Sequence, residues 1–353
     1  FGITTGRSVG FKFATARAEA EGAGPVKGGL FNLSQSLGVY GETPRLPVVC
    51  LTGTTASGKT ELAMKLANCL PVDLISVDSG QVYRGMDIGT AKPETAVLRR
   101  TPHGLIDVRD IDTPYSAADF RRDAGALVRE SLERQRIPLL VGGTLFYFSA
   151  LLKGLPDLPA ADGALRDCLE KEAEIQGWSA MYEKLLKNDP SAAERIAPGD
   201  RQRILRALEV NMLSGKPVKT NPPGRGLLGG NTRVLQLCVF FSDRTVLHQK
   251  IADRLEQMLG SGLVNEVSLF REQFPNARNL PAMRSVGYQQ VWSYLENEID
   301  YSTMVENTRT ATRRLAKRQL TWIRNEPGWT WFDALSPGLF DAVQKYLASA
   351  GGR

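Results

Sequence analysis

A glycine-rich octapeptide at residues 53–60 lies between a short apolar run and a segment with helical periodicity. The run at 48–51 is typical of a buried strand, and apolar residues recur at helical spacing through 61–67. The octapeptide fits the pattern GxxxxGK[ST], in which backbone N–H groups wrap a phosphate at the start of a helix and a lysine adds positive charge. We therefore predict a strand, loop and helix that bind a polyphosphate through Gly53, Thr54, Thr55, Ala56, Ser57, Gly58, Lys59 and Thr60.

The same alternation continues beyond this unit. Apolar runs at 74–77 and 137–141 each end in polar or glycine residues, and helical patterns separate them. Strands that alternate with helices indicate βαβ units, whose strands pair in parallel. We expect an α/β fold with a P-loop NTPase-like parallel sheet flanked by helices.

A different pattern occupies residues 154–223, where only helical periodicity is found between proline and glycine residues. One more strand is predicted at 234–241, with only helices after it. We therefore expect an all-helical insertion at 154–223 that interrupts a catalytic core of residues 46–153 and 224–345. The helices predicted within the insertion are 164–176, 179–186 and 201–213.

The composition of the 353 residues is that of a globular protein, with 42% hydrophobic and 23% charged residues. No run approaches about 18 consecutive apolar residues, which excludes a membrane-spanning helix. Four scattered cysteines and two histidines argue against a disulfide scaffold or a zinc cluster and favour the reducing cytoplasm. Residues 1–45 begin with Phe1 and are rich in glycine, serine and threonine, so we expect a poorly structured or non-native extension there.

Polar side chains are dense in residues 78–93, directly after the second predicted strand. In open α/β sheets, the carboxyl ends of parallel strands border the crevice that holds the ligand. Asp78 comes first in this segment, and two interpretations of it are open. Its carboxylate is either a general base or a magnesium partner, or it is the N-cap of a helix.

Several stretches together resemble the tRNA dimethylallyltransferases, also called tRNA isopentenyltransferases. They follow the family's order between about residues 47 and 332, and no Cys/His zinc-finger module follows Trp331, as in the bacterial type. The matching stretches are the octapeptide, 78–93, 141–144 with Tyr147, 199–209, 280–288, 308–309 and 316–322.

Members of this family transfer a dimethylallyl group from its diphosphate to N6 of adenine 37, next to the anticodon. They act on tRNAs that read codons starting with U, and they release diphosphate. The resemblance therefore implies Mg²⁺ as the cofactor, and dimethylallyl diphosphate and the tRNA anticodon stem-loop as partners. It also implies a monomer.

The resemblance assigns roles to five residues. Asp78 accepts the proton of the adenine N6 amine, Lys59 and Thr144 act at the reaction centre, and the Thr60 hydroxyl is the metal ligand. Arg254 grips the diphosphate from the opposite side. Plainer interpretations remain for two of them, a helix N-cap for Thr144 and a solvated helix face for Arg254.

The family positions that contact tRNA include several polar residues and one aromatic residue. Tyr288 is the residue that we expect to stack on a splayed base. Four tryptophans, in contrast, are expected in the core: Trp292, Trp322, Trp329 and Trp331. The implied tRNA contacts are Asp78, Ser79, Gly80, Gln81, Thr144, Arg166, Gln202, Arg203, Ile204, Leu205, Arg206, Arg284, Ser285, Val286, Gly287 and Tyr288.

The net charge of +6 is unevenly distributed along the chain. Residues 154–198 hold five basic and nine acidic side chains, whereas 199–233 hold seven basic and two acidic ones. A second basic stretch, 306–326, has six basic and two acidic residues, with the basic ones at helical spacing. Both stretches fit contacts to a phosphate backbone, which give affinity without sequence choice.

Two positions depart from the family's pattern. Gly80 stands where a larger residue is usual, and Lys250 stands where an arginine is usual. Three other functions stay open: an enzyme that prenylates free AMP, a P-loop kinase that uses ATP, and a non-catalytic RNA-binding module. The first needs neither the insertion nor the basic stretches, and the last conflicts with a complete phosphate loop.

Overall fold

The computed structural model describes residues 46–217, 226 and 232–351. The chain divides into two compact units, Phe1–Phe148 with Gly230–Arg353, and Ser149–Gly229. Residues 1–45 lie outside the described residues, so the expectation for that segment stays a prediction. Within the described ranges, none of the helices combines the length and apolar character that a membrane crossing requires.

The described part of the first unit contains a single parallel sheet of six strands. The strands are β1 Val48–Gly53, β2 Val72–Val77, β3 His103–Gly104, β4 Ile137–Gly142, β5 Val234–Phe240 and β6 Trp329–Asp333. Their order across the sheet is β3-β2-β4-β1-β5-β6. The predicted α/β fold with a parallel sheet flanked by helices is confirmed.

Thirteen α-helices occur among the described residues. In chain order they are α1 Lys59–Ala67, α2 Thr95–Arg100, α3 Ala117–Glu133, α4 Leu145–Leu152, α5 Gly163–Gln176, α6 Trp178–Asn188, α7 Pro190–Ala193, α8 Arg201–Ser214, α9 Arg244–Gly260, α10 Leu263–Gln273, α11 Tyr288–Leu295, α12 Tyr301–Asn325 and α13 Leu339–Gly351. The helices and strands that the sequence predicted differ from these bounds by at most two residues.

The central strands are apolar along their whole length because both faces of the sheet are covered. Every residue of β1 is buried, which explains why its sequence shows no alternation of apolar and polar residues. On one face, Leu62 and Leu66 of α1 share a core cluster with Val343 of α13. Packing of this kind fixes the height of α1, and therefore of the loop before it, relative to the sheet.

The second unit is a helical bundle with its own core. Leu169 of α5, Met181 and Leu185 of α6, and Ile204 and Leu208 of α8 pack together with almost no exposure. Three of its helices begin at aspartate caps, whose carboxylates accept N–H hydrogen bonds from the first helical turn. These caps are Asp162 for α5, Asp189 for α7 and Asp200 for α8.

Two strands were missed by the sequence interpretation. β6 pairs in parallel with β5, where only helices were predicted, and β3 is a two-residue strand at the opposite edge. A short edge strand depends on a long-range partner, so its local pattern predicts it poorly. The same edge position corrects the expectation for Trp331, which is 36% exposed, whereas Trp292 is buried as predicted.

Candidate active site

The loops after β1, β2 and β4 meet at one edge of the sheet. β4 lies between the other two strands, and the pairs Leu51↔Val141 and Val77↔Gly142 bring the three strand ends level. Because the strands run in the same direction, the segments that follow them share this edge. These segments are the phosphate loop (residues 53–60), residues 78–81 and residues 142–144.

The phosphate loop passes from β1 into α1 through a turn with left-handed residues. Ala56 has a φ of 63° and Gly58 a φ of 80°. The Lys59 side chain folds back, and its Nζ donates to the Thr54 carbonyl oxygen over 3.2 Å. A non-glycine residue with positive φ is strained, and such strain persists where a loop's shape is held by its surroundings. The loop therefore has the strand, turn and helix arrangement that its sequence predicts.

Two cationic side chains and one carboxylate act on one another at this edge. Burial and, next, the positive charge of Arg254 lower the pKa of the Lys59 ammonium from 10.5 to about 8, while Asp78 raises it. Burial also lowers the pKa of the Arg254 guanidinium, and Asp78 again acts in the opposite direction. Arg254 of α9 is half-buried, and its charge interacts with those of Lys59 and Asp78, so its contact with the diphosphate stays a prediction. A single carboxylate facing two partly desolvated cations leaves an environment that favours an anionic ligand.

Asp78 follows β2 directly, and one of its oxygens holds the turn after it. Oδ1 accepts hydrogen bonds from the N–H groups of Gly80 at 2.8 Å and Gln81 at 3.2 Å. Oδ2 has no hydrogen-bond donor among the described residues. The turn cap and the chemical role are therefore compatible, because each uses a different oxygen of the carboxylate.

Thr144 links the ends of β2 and β4. Its backbone N–H donates to the Val77 carbonyl over 3.1 Å, and its Oγ1 accepts from the Ser79 N–H at 3.0 Å. The same hydroxyl donates to the Ser79 Oγ over 3.3 Å. Thr144 therefore lies beside Asp78 and Ser79, the two residues with which the resemblance groups it.

The departure at Gly80 has a steric cause. A Cβ atom at this position would lie 2.7 Å from the Cγ2 atom of Thr90, closer than van der Waals contact allows. Gln81 is fixed on the neighbouring side, where its Oε1 accepts from the Ser76 hydroxyl at 2.9 Å. The other departure, Lys250, is exposed on α9, four residues before Arg254.

The rest of the polar segment is anchored by two charged side chains. The Lys92 side chain is only 3% exposed, and its Nζ lies 2.5 Å from a carboxylate oxygen of Asp87 and 2.5 Å from one of Asp107. Glu266 of α10 accepts backbone N–H hydrogen bonds from residues 87, 88 and 89. Sequence reasoning missed Glu266, because a contact across more than 170 residues leaves no local signal.

Tyr288 has a different environment from the one predicted. It is fully buried, and its hydroxyl donates to the Glu266 carboxylate over 2.5 Å. Burial and this carboxylate both raise the pKa of the Tyr288 hydroxyl. Because the ring is not exposed, the prediction that it stacks on a base is wrong for this structure. Of its neighbours, Arg284 is exposed, Ser285 and Val286 are half-buried, and Gly287 is buried.

Two of the predicted tRNA contacts in the second unit are held by a buried carboxylate. Glu209 has no exposed surface, and its two oxygens accept from the Arg166 guanidinium at 3.0 Å each. Arg206 donates to Glu209 over 2.6 Å and to the Pro159 carbonyl over 2.6 Å. Burial opposes ionisation of Glu209, but the hydrogen bonds from both arginines outweigh it and lower the carboxyl pKa.

The neighbouring residues on α8 divide by exposure. Gln202 and Arg203 are exposed and stay predicted tRNA contacts. Ile204 and Leu205 are buried in the bundle core, so their side chains do not present a surface to RNA. The prediction for these two residues is corrected by the helical period, which turns them inward.

A cationic surface lies on α12 and α9 of the first unit. Arg314, Lys317 and Arg318 are exposed on α12, whereas Arg309 pairs with Glu306 on the same helix. A cavity of about 250 Å³ between α9 and α12 is lined by five basic side chains and no acidic one. The five are Arg244, His248, Arg313, Lys317 and Arg324.

A phosphate loop with two partly desolvated cations and a carboxylate at the same edge of the sheet is the arrangement of a P-loop protein. The model of the family described as IPP transferase matches residues 81–326. A tRNA dimethylallyltransferase of Thiobacillus denitrificans is 49% identical over 308 residues, 86% of this chain and 96% of that protein. A tRNA dimethylallyltransferase of Nitrosospira multiformis is 48% identical over 88% of this chain and 96% of its own length. The chain therefore belongs to the IPP transferase family.

Solved structures agree with this assignment. The full-length tRNA isopentenylpyrophosphate transferase of Bacillus halodurans superposes with a TM-score of 0.64 and 34% identity, covering 86% of this chain and 96% of its own. A eukaryotic dimethylallyltransferase solved in crystallographic snapshots of its action on tRNA gives a TM-score of 0.69 at 25% identity, over 86% and 78% of the two chains.

The lowered pKa of Lys59 predicts a pH-dependent affinity for inorganic pyrophosphate. Below about pH 8 the Lys59 ammonium is charged, and pyrophosphate binds most tightly. Above this pH, Lys59 must first take up a proton for pyrophosphate to bind, so the affinity falls by up to about tenfold per pH unit. Isothermal titration calorimetry from pH 6.5 to 9.5 measures this. Lys59→Arg is the control, because arginine stays charged over this range. Any pH dependence in this variant therefore comes from ionisation of pyrophosphate itself. Equal pH dependence in both proteins would contradict the prediction.

The Glu209 cluster predicts that Arg166 stabilises the second unit. Arg166→Ala leaves a buried carboxylate with one guanidinium fewer, so we expect the opening free energy of α8 amides to fall by about 3 kcal/mol. Native-state hydrogen exchange measures it. Arg203→Ala is the control, because that side chain is 68% exposed and its pair with Asp200 contributes about 0.5 kcal/mol or less. Equal losses in the two variants would refute the assignment.

Proposed function

We propose that the chain transfers a dimethylallyl group from dimethylallyl diphosphate to N6 of adenine 37 in tRNAs that read codons starting with U. Diphosphate is the second product. The observation that carries this proposal is the convergence of Lys59, Arg254, Asp78 and Thr144 at one edge of the sheet, in a chain of the IPP transferase family. Cations and a carboxylate side by side suit a reaction in which an anion leaves and a proton is removed.

The leaving group accounts for the cations. When the bond between C1 and the diphosphate oxygen breaks, negative charge grows on the diphosphate and positive charge on the allylic carbon. The N–H groups of the phosphate loop, the Lys59 ammonium and the Arg254 guanidinium stabilise the diphosphate as it departs. Partial desolvation strengthens these interactions, because the positive charges are not screened by water.

The nucleophile accounts for the carboxylate. The lone pair of the adenine N6 amine is delocalised into the ring, so the amine attacks well only when its proton can be accepted. Oδ2 of Asp78 is the acceptor that we assign, since Oδ1 is engaged by the turn. Thr144 and Ser79 lie next to Asp78. The hydrogen bonds between them fix the Thr144 hydroxyl, which we place beside the reacting groups.

The donor set suits a magnesium ion that is bound mainly through substrate. Among the described residues, no three His, Cys, Asp or Glu side chains form a group that could hold a metal. Mg²⁺ keeps several waters and prefers one or two protein oxygens plus phosphate oxygens, so a hydroxyl at Thr60 is sufficient. When bound, the ion neutralises charge on the diphosphate.

The tRNA anticodon stem-loop is the proposed partner. Adenine must leave its stack to reach Asp78, which costs a few kcal/mol that protein contacts must offset. Exposed basic residues on α12 and the cationic cavity between α9 and α12 suit the phosphate backbone, as do Arg203 and Arg284. A cytoplasmic monomer is the remaining expectation, and the four cysteines are free thiols, as a reducing compartment favours.

Incubation with labelled dimethylallyl diphosphate and Mg²⁺ tests the proposal. The acceptor is either unmodified tRNA or AMP, and a parallel assay measures ATP hydrolysis. We expect label in tRNA and none in AMP. Transfer to AMP alone would identify the free-nucleotide enzyme, and ATP hydrolysis without transfer would identify a kinase or NTPase.

Asp78→Asn is the sharpest test of the base. The amide oxygen of asparagine can still accept the N–H groups of Gly80 and Gln81, so the turn is kept while the proton acceptor is lost. We expect kcat to fall by about 10²- to 10⁴-fold with tRNA affinity within about twofold of wild type. Exposed Asp112→Asn serves as control. Unchanged turnover in Asp78→Asn would show that Asp78 is not the base.

A further inference from the structure

The side-chain amide of Gln319, on α12, bridges two loops of the site. One is the phosphate loop, and the other is the turn at residues 142–144. Gln319 is 8% exposed, although the two residues before it on the helix, Lys317 and Arg318, are exposed to solvent. Its Oε1 accepts from the Thr55 N–H at 2.9 Å, and its Nε2 donates to the Gly143 carbonyl over 2.9 Å. One amide therefore bonds the phosphate loop and the turn that carries Thr144.

The chemistry of the two contacts requires an amide. Thr55 offers a backbone donor and Gly143 a backbone acceptor, so the bridging group must accept with one atom and donate with the other. Glutamate lacks the donor when ionised, and leucine lacks both groups at similar size. A side chain whose acceptor and donor are bonded to the same carbon fixes the separation of the two loops.

Gly143 supplies the room for this bridge. A Cβ atom at this position would lie 2.7 Å from Nε2 of Gln319, and the next atoms are at 3.8 and 3.9 Å. The φ angle of Gly143 is not in the left-handed region, so alanine is compatible with the backbone there. The absence of a side chain at 143 is thus required by Gln319 alone.

We infer that Gln319 is a positioning residue of the transfer reaction, which holds the phosphate loop and Thr144 at a fixed separation. This inference rests on the proposed function. The phosphate loop holds the leaving group, whereas Thr144 lies beside Asp78, which receives the proton from the nucleophile. The distance between the two loops therefore sets the distance between the reacting carbon and the amine, and a misplacement of about 1 Å can cost about 10²-fold in rate.

The position of Gln319 argues against a direct contact with tRNA. Both polar atoms of its side chain are engaged with backbone groups, and the side chain is buried. The exposed cations on the same helix are the residues that suit phosphate contacts. Loss of Gln319 is therefore expected to affect turnover and not tRNA affinity.

The first experiment compares Gln319→Leu with wild type in single-turnover transfer to tRNA. We expect a rate about 10- to 100-fold lower, with the tRNA dissociation constant within about twofold and the melting temperature nearly unchanged. Thr303→Ala, at an exposed position near the start of the same helix and outside the cationic cavity, is the control and should react at the wild-type rate. A tRNA dissociation constant raised in proportion to the lost rate would overturn the inference and make Gln319 a tRNA contact.

A double-mutant cycle with Gly143 provides the second readout. In wild type, Gly143→Ala pushes Nε2 away and should slow transfer about tenfold or more. In a Gln319→Ala background, the space left by the shortened side chain accepts the methyl group, so the same change should cost less than about twofold. Additive losses would overturn the inference, because they would mean that the two residues act separately.

The experiments distinguish a failure of the Gln319 inference from a failure of the proposed function. If wild type transfers no label to tRNA, the proposed function fails. In that case the bridge is tested by hydrogen exchange at the Thr55 amide, which should become at least about tenfold faster in Gln319→Leu than in wild type. Unchanged exchange would overturn the bridge itself.

Discussion

Parallel pairing of β4 between β1 and β2 is the constraint on which the site depends. Each strand contributes a loop at its carboxyl end, and the three loops carry different chemistry: phosphate-binding N–H groups, a carboxylate and a hydroxyl. Hydrogen bonds between the loops then fix their separation, through Thr144 and Ser79 on one side and through Gln319 on the other. The core packing of the sheet is what allows these short polar contacts to hold their geometry.

The charges at this edge of the sheet are unbalanced. Two cations with lowered pKa values face a single carboxylate, so the site is electrostatically incomplete without an anion. In the proposed function, a diphosphate supplies the missing charge, and the same cations stabilise it further as it leaves. In the second unit two cations also surround one carboxylate, but there they donate hydrogen bonds to it directly. Glu209 is neutralised by Arg166 and Arg206, so part of the basic character in the sequence of residues 199–233 serves the bundle itself.

Local patterns were sufficient for four of the six strands and for the helices that they placed, because buried parallel strands read as apolar runs and the phosphate loop has a fixed spacing. The missed features were those that depend on distant residues. β6 needs β5 as a partner, and Glu266 and Gln319 meet backbone groups far along the chain. Tyr288 and Ile204 show the converse: residues in a functional motif were interpreted as surface, but hydrogen bonding to Glu266 and the helical period place them inside. Burial is a property of the fold and is not encoded by a motif alone.

The central claim is that the loops after β1, β2 and β4 bring an allylic diphosphate and an adenine amine together. Mass spectrometry of nuclease-digested tRNA after reaction tests it most directly, because it identifies both the modified nucleotide and the atom that received the group. The account predicts a single dimethylallyl group on N6 of the adenine next to the anticodon. A dimethylallyl group at another base or atom, or tRNA that remains unmodified, would contradict it.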